Sequence, residues 1–141
     1  MKKHHIFRHP GRYLRMLIFR ILNRKKFEYS ERAANARIRK ASSAWVGRKG
    51  YCEKRSMEEV AAELHTSREQ LAHWCRNELG RTFHDWRTEL RRAEARRLIR
   101  EEPTMSLAAI REAVGITDKS NFRRYFVRFS GCTPAKWRLE N

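Results

Sequence analysis

Cysteine is scarce in this chain of 141 residues: Cys52, Cys75 and Cys132 are the three that occur, and no CxxC or CxxxxH spacing links them. An odd number without metal-ligand spacing argues against a disulfide framework and fits a reducing compartment. Each cysteine reads as a small packed residue. Six glycines and three prolines leave no low-complexity tract and no glycine-rich phosphate loop. Long apolar runs are also missing. The longest in the first quarter is Met16 to Phe19, far too short to span a bilayer. Arg8, Arg12, Arg15 and Arg20 interrupt every candidate core of a secretory signal. No nucleophile or acid stands in a recognisable motif with His65, His73 or His84, and His4, His5 and His9 lack carboxylate or cysteine company. The expectation is a protein that is not an enzyme, with no catalytic residues, metal or cofactor.

Acidic residues are few, 16 against 33 Lys and Arg, for a net charge of +17. A chain this basic seeks a polyanion, either nucleic acid or an anionic membrane surface. Residues 1–55 hold 17 of the cations against three acids, whereas residues 56–141 are only mildly basic. The leading part is a bulk electrostatic attractor. Any specificity in the rest depends on where its arginines sit.

Residues 1–10 read as a flexible arm ending at Pro10 and Gly11. Over residues 12–24, Leu14, Leu17, Ile18 and Ile21 recur at helical spacing, with Arg12, Arg15, Arg20 and Arg24 between them. Such a face must be buried. Packing on the rest of the chain, or self-association through residues 12–22, is favoured over a place in a lipid headgroup layer. Glu28 to Ala44 reads as an exposed helix or connector, and Gly47 and Gly50 weaken any helix running through Trp45 to Cys52.

From Ser56 onward one pattern appears twice: a short capped helix, a tight break, a second capped helix and a closing glycine. In the first copy Ser56 with Glu59, and Ser67 with Gln70, have capping-box spacing, and Gly80 closes. In the second, Ser106 caps, Gly115 lies in the turn, Asp118 begins the next helix and Gly131 closes. Between the copies Phe83, Trp86, Leu90, Ala93, Ala95, Leu98 and Ile99 form the stripe of a long helix over residues 82–102, which Pro103 ends. Phe122, Tyr125, Phe126 and Phe129 make an apolar row, and Thr133 caps a last helix with Pro134 at its first position. The fold class is therefore all-α: two helix-turn-helix subdomains joined by a long linker helix, behind a basic helical extension. The extension covers residues 1–44 and the tandem domain residues 45–141. A helix-turn-helix lays its second helix in the major groove, with base-reading side chains near that helix's N-terminal half. In the first copy the outward positions are Arg68, Glu69, Ala72, His73 and Arg76. Ser67 and the free amides at its helix start are set to hold a phosphate, and Gln70, Arg76 and Arg128 to touch the DNA backbone.

The ordered series Val60, Ala61, Ser67, Leu71, Gly80, Phe83, Trp86, Arg91, Ala95, Leu98, Ile99, Ile110, Gly115, Phe122 and Phe126 resembles the DNA-binding domain of the AraC/XylS transcription regulators. The closing run Gly131, Thr133, Pro134, Trp137, Arg138 is its most specific piece. The resemblance implies base contacts at Glu69, Ala72 and His73 in the first unit, and at Lys119, Ser120, Arg123 and Arg124 in the second, whose helix starts at Asp118. The second unit presents three cations and is expected to dominate affinity, Arg123 or Arg124 pairing with guanine. Double-stranded DNA is the implied partner, RNA polymerase a second one. The implied setting is bacterial, cytoplasmic and nucleoid-associated. A strongly basic stretch of about fifty residues precedes the domain, with no room for a ligand-binding barrel, so no small-molecule effector is expected. The chain departs from the family at Arg111, where a small residue is usual, and at Cys75 and Ile116, where Phe is usual. The last two leave less core volume. Arg111 is expected either to reach outward to phosphate or to mark a degraded second unit. The competing reading is a membrane-surface or non-specific nucleic-acid binder acting through the basic N-terminal helix.

Overall fold

Why the chain becomes helices is visible in how their ends are closed. The structure is a computed structural model that describes residues 10–140. The expected arm, apart from Pro10, lies outside the described residues, as do His4, His5 and His9. Seven α-helices follow in order: α1 (Pro10–Gly47), α2 (Met57–Glu63), α3 (Arg68–Leu79), α4 (Phe83–Glu101), α5 (Leu107–Ala113), α6 (Lys119–Ser130) and α7 (Pro134–Glu140). A single 3-10 turn, Gly50–Cys52, follows α1. The fold is all-α.

Each cap is a side-chain oxygen accepting an otherwise orphaned amide. Ser56 accepts from the Glu59 amide at 3.2 Å while Glu59 accepts from the Ser56 amide at 2.7 Å. Ser67 and Gln70 repeat the arrangement at 3.1 and 3.3 Å. Thr82, Ser106, Asp118 and Thr133 cap α4 to α7 by accepting from the amide three residues on. Gly80 and Gly131 end α3 and α6 in the left-handed region, at φ 65° and 70°.

The chain divides into two compact units, residues 1–37 and 38–141. In the first, Leu14, Leu17, Ile18 and Ile21 of α1 lie exposed, with Tyr13, Phe19 and Leu22. Leu14, Leu17, Ile18 and Ile21 share one face of this helix, and Tyr13, Met16, Phe19 and Leu22 add apolar side chains on the others.

The second unit has two cores. Ile38, Trp45, Val60, Ala61, Leu64, Leu71, Trp74, Cys75 and Phe83 form the first, around the end of α1, α2, α3 and the start of α4. Ala95, Ile99, Ile110, Val114, Phe122, Tyr125 and Phe126 form the second, around the end of α4, α5 and α6. Cys75 is fully enclosed, and burial pushes its thiol up to about 11. It acts as a small hydrophobe. Trp86, Leu90 and Leu98 of the expected α4 stripe are partly buried, whereas Ala93 is exposed. Phe129, expected in the α6 row, is 54% exposed; its ring stacks on Tyr125 with 5.1 Å between centroids.

The two cores are tied by the segment that follows α1. Cys52 packs against both. Arg91 of α4 donates to the Tyr51 and Glu53 carbonyls at 2.5 and 2.8 Å, and Arg87 to the Arg55 carbonyl at 2.6 Å. Gly115, at φ 74°, lies so close that a Cβ there would stand 2.2 Å from the Cys52 carbonyl oxygen. A residue with a side chain is excluded by space as well as by conformation. Beside this strap Glu94, nearly buried, accepts from Lys49 at 2.7 Å and from Arg97 at 2.8 and 3.0 Å. Those hydrogen bonds, that from Arg97 foremost, hold its carboxyl down at about 2. Arg111 turns inward rather than to solvent: it is 17% exposed and donates to the Ile116 carbonyl at 3.2 Å and to that of Thr117. It splints the turn of the second helix pair instead of reaching outward to phosphate.

Candidate nucleic-acid interface

The interface is set by what α3 and α6 leave outside once their apolar sides are buried. On α3, Leu71, Trp74 and Cys75 face the first core. Ser67, Arg68, Glu69, Gln70, His73 and Arg76 are exposed and Ala72 is half-buried. On α6, Phe122, Tyr125 and Phe126 face the second core, leaving Asp118, Lys119, Ser120, Arg123, Arg124 and Arg128 exposed.

The two surfaces differ in how far they are committed within the chain. On α3, Arg68 pairs with Glu58 at 2.7 Å, Gln70 accepts from the Ser67 amide and the Thr66 hydroxyl, and His73 lies 2.7 Å from Asn77. Ser67 and Gln70 are held by the cap, so their side-chain oxygens are in use. On α6, Asp118 accepts from the Asn121 amide at 2.5 Å, which spends its charge on the helix start. No carboxylate among the described residues pairs with Lys119, Arg123, Arg124 or Arg128. A row of unpaired cations on one helix keeps its field available for an anion.

Two clefts flank these helices, and they share a wall. One is lined by Arg68, Glu69, Ala72 and Arg76 of α3 with Phe83 and His84 of α4. The other is lined by His84, Thr88, Arg91 and Arg92 of α4 with Thr117, Asp118, Asn121 and Tyr125 around the start of α6. His84 borders both, while Lys119 and Arg123 of α6 line a third cleft with α5 and the start of α7. The 19 residues of α4 give it a length of about 28 Å at 1.5 Å per residue. That is close to the roughly 34 Å that separates successive major-groove faces. Sequence reasoning gave no role to His84, Thr88 or Arg92. The signal was their spacing, every fourth residue of one helix, which sets them in one row.

Among the described residues no three His, Cys, Asp or Glu side chains gather as for a metal, and no helix is long and apolar enough to cross a membrane.

Comparison with known proteins agrees with this arrangement. A family described as "Helix-turn-helix domain" matches residues 60–140, more than half of the chain. The RCS-specific HTH-type transcriptional activator RclR of Escherichia coli (strain K12) is 35% identical over 83 residues, which are 59% of this chain and 29% of that relative. The chain thus spans under a third of the relative's length. With its paired capped helices, its closing glycines and this match, the chain belongs to the AraC-type helix-turn-helix family of DNA-binding transcription regulators.

Proposed function

We propose that the protein reads a specific duplex sequence by placing α3 and α6 in two successive major-groove segments, with α4 fixing their separation. The observation that carries this is the pair of capped helices α3 and α6, each burying one side in its own core and leaving a polar side exposed, with α4 running from one core to the other. Phosphate contacts give affinity and its salt dependence, and base edges give choice. Base reading is assigned to Glu69, Ala72 and His73 on α3, and to Lys119, Ser120, Arg123 and Arg124 on α6. Arg68, Arg76 and Arg128 supply charge to the backbone, while Ser67, Gln70 and Asp118 keep the two helix starts in shape beside it. The cations of α6 that lack a carboxylate make the second unit the stronger contributor.

Activation is the favoured sign of regulation, because the relative's name is that of a transcriptional activator. Contact with RNA polymerase follows from that sign, and cytoplasmic, nucleoid-associated work from the ligand. Self-association is assigned to Leu14, Leu17, Ile18 and Ile21. They are exposed and recur at three- and four-residue spacing, as the seam of a paired helix does.

Selection from random duplexes tests the proposal. A single preferred site should emerge, with two protected segments about one turn apart. Arg124→Ala should then lose roughly 1–3 kcal/mol at that site and relax choice at one base pair. Equal weakening on every sequence would make Arg124 a phosphate contact only. Absence of any preferred site would remove the reading altogether.

A further inference from the structure

We propose that the cleft between α4 and the start of α6 is a binding site for one phosphate of the DNA backbone, the strand segment that crosses between the two grooves. Its ligands would be Arg92, the Tyr125 hydroxyl, Thr88 and His84. The inference rests on the two-groove reading and adds residues that lie on neither recognition surface.

The cleft has a volume of about 230 Å³, several times the space of one water molecule. Its wall carries donors that the fold does not use. Tyr125 is only 7% exposed, yet its hydroxyl has no hydrogen-bond partner. Arg92 is only half-buried, but its Nε is enclosed and has no hydrogen-bond partner either. Buried polar groups are satisfied as a rule, and an exception asks for a ligand. The Arg92 guanidinium lies 3.2 Å from the centroid of the Tyr125 ring and 4.4 Å from that of Phe129. Two aromatic faces therefore hold a cation rigidly at the cleft. Burial, and then the like charge of Arg128, lowers Arg92 to about 10, so it stays charged at neutral pH.

The acidic groups at hand are occupied. Asp118 lines the cleft but caps α6, and Asp85 accepts from the Thr82 hydroxyl at 2.7 Å. No carboxylate is paired with Arg92 among the described residues. Asn121 and the first turn of α6 add polar hydrogens on the opposite wall. His84 and Thr88 continue the row along α4, and His84 also borders the cleft beside α3. This also accounts for Phe129, whose exposed ring serves as the second face of the Arg92 stack.

Tyr125→Phe isolates the idea, because it deletes only the hydroxyl. Its melting temperature should stay level or rise, since a buried unsatisfied group is removed, while affinity for the selected duplex falls roughly 3–10-fold. Arg92→Gln should reduce the dependence of log affinity on log salt by about one phosphate and leave the preferred sequence unchanged. A duplex scanned with single methylphosphonates should contain one position between the two protected segments whose neutralisation weakens the wild-type chain about tenfold and Arg92→Gln hardly at all. Unchanged affinity in Tyr125→Phe, or equal losses for wild type and Arg92→Gln at every phosphate, would overturn the proposal while leaving groove reading intact. A wild-type chain with no preferred duplex would overturn both.

Discussion

At the scale of single residues, two turns solve one backbone problem differently. Between α2 and α3 the left-handed position is His65, at φ 54°; between α5 and α6 it is Gly115, at φ 74°. A left-handed conformation costs an ordinary residue about 1–2 kcal/mol, less the entropy glycine loses on folding. His65 is exposed, so His65→Gly should stabilise the protein by about 0.5–1 kcal/mol. A rise in the denaturant midpoint at constant slope would show it. Gly115→Ala should be far worse, about 3 kcal/mol or more, because strain adds to a backbone clash at Cys52. Glycine positions were legible in the sequence because so few residues suit that conformation. Arginine roles were not. Arg91 tied to carbonyls, Arg111 splinting a turn and Arg92 stacked on rings look alike as letters, and only the surroundings in space separate them.

Helices were the most legible layer. The caps at Ser56, Ser67, Thr82, Ser106, Asp118 and Thr133 sit where the sequence placed them, because capping is decided within four residues. Apolar periodicity was less informative about where a core stops. Phe122, Tyr125, Phe126 and Phe129 form one row in sequence, yet the last lies at the surface end of α6. Phe126→Ala should therefore cost about 3–5 kcal/mol, as for an enclosed ring. Phe129→Ala should cost about 1 kcal/mol, as for a mostly exposed ring in an aromatic pair. Equilibrium unfolding of the two variants compares them directly, and equal losses would mean that the second core extends to the end of α6. In α1 apolar residues point to all sides, and helical spacing alone does not say what covers them.

For the whole molecule, charge and specificity are divided. Residues 1–55 carry 17 Lys and Arg against three acids, while the cations we propose to read bases stand on α6. Removing residues 1–37, the first compact unit, should weaken binding to every duplex and flatten its salt dependence, but keep the preferred sequence. It should also abolish any dimer seen by sedimentation. Loss of preference along with affinity would make the extension, rather than the paired helices, the reader. The tandem arrangement was legible because each half repeats a local signal. The strap between the halves was not, since it depends on Arg87, Arg91 and Gly115 meeting residues 51–55 from far along the chain. That strap has a consequence for the target. Two modules on a loose hinge could follow an altered operator by swivelling. Halves pinned to one stretch of backbone have no such play, so five extra base pairs between the half-sites, about half a turn of duplex, would put the second groove out of phase and leave the protein gripping one half-site alone.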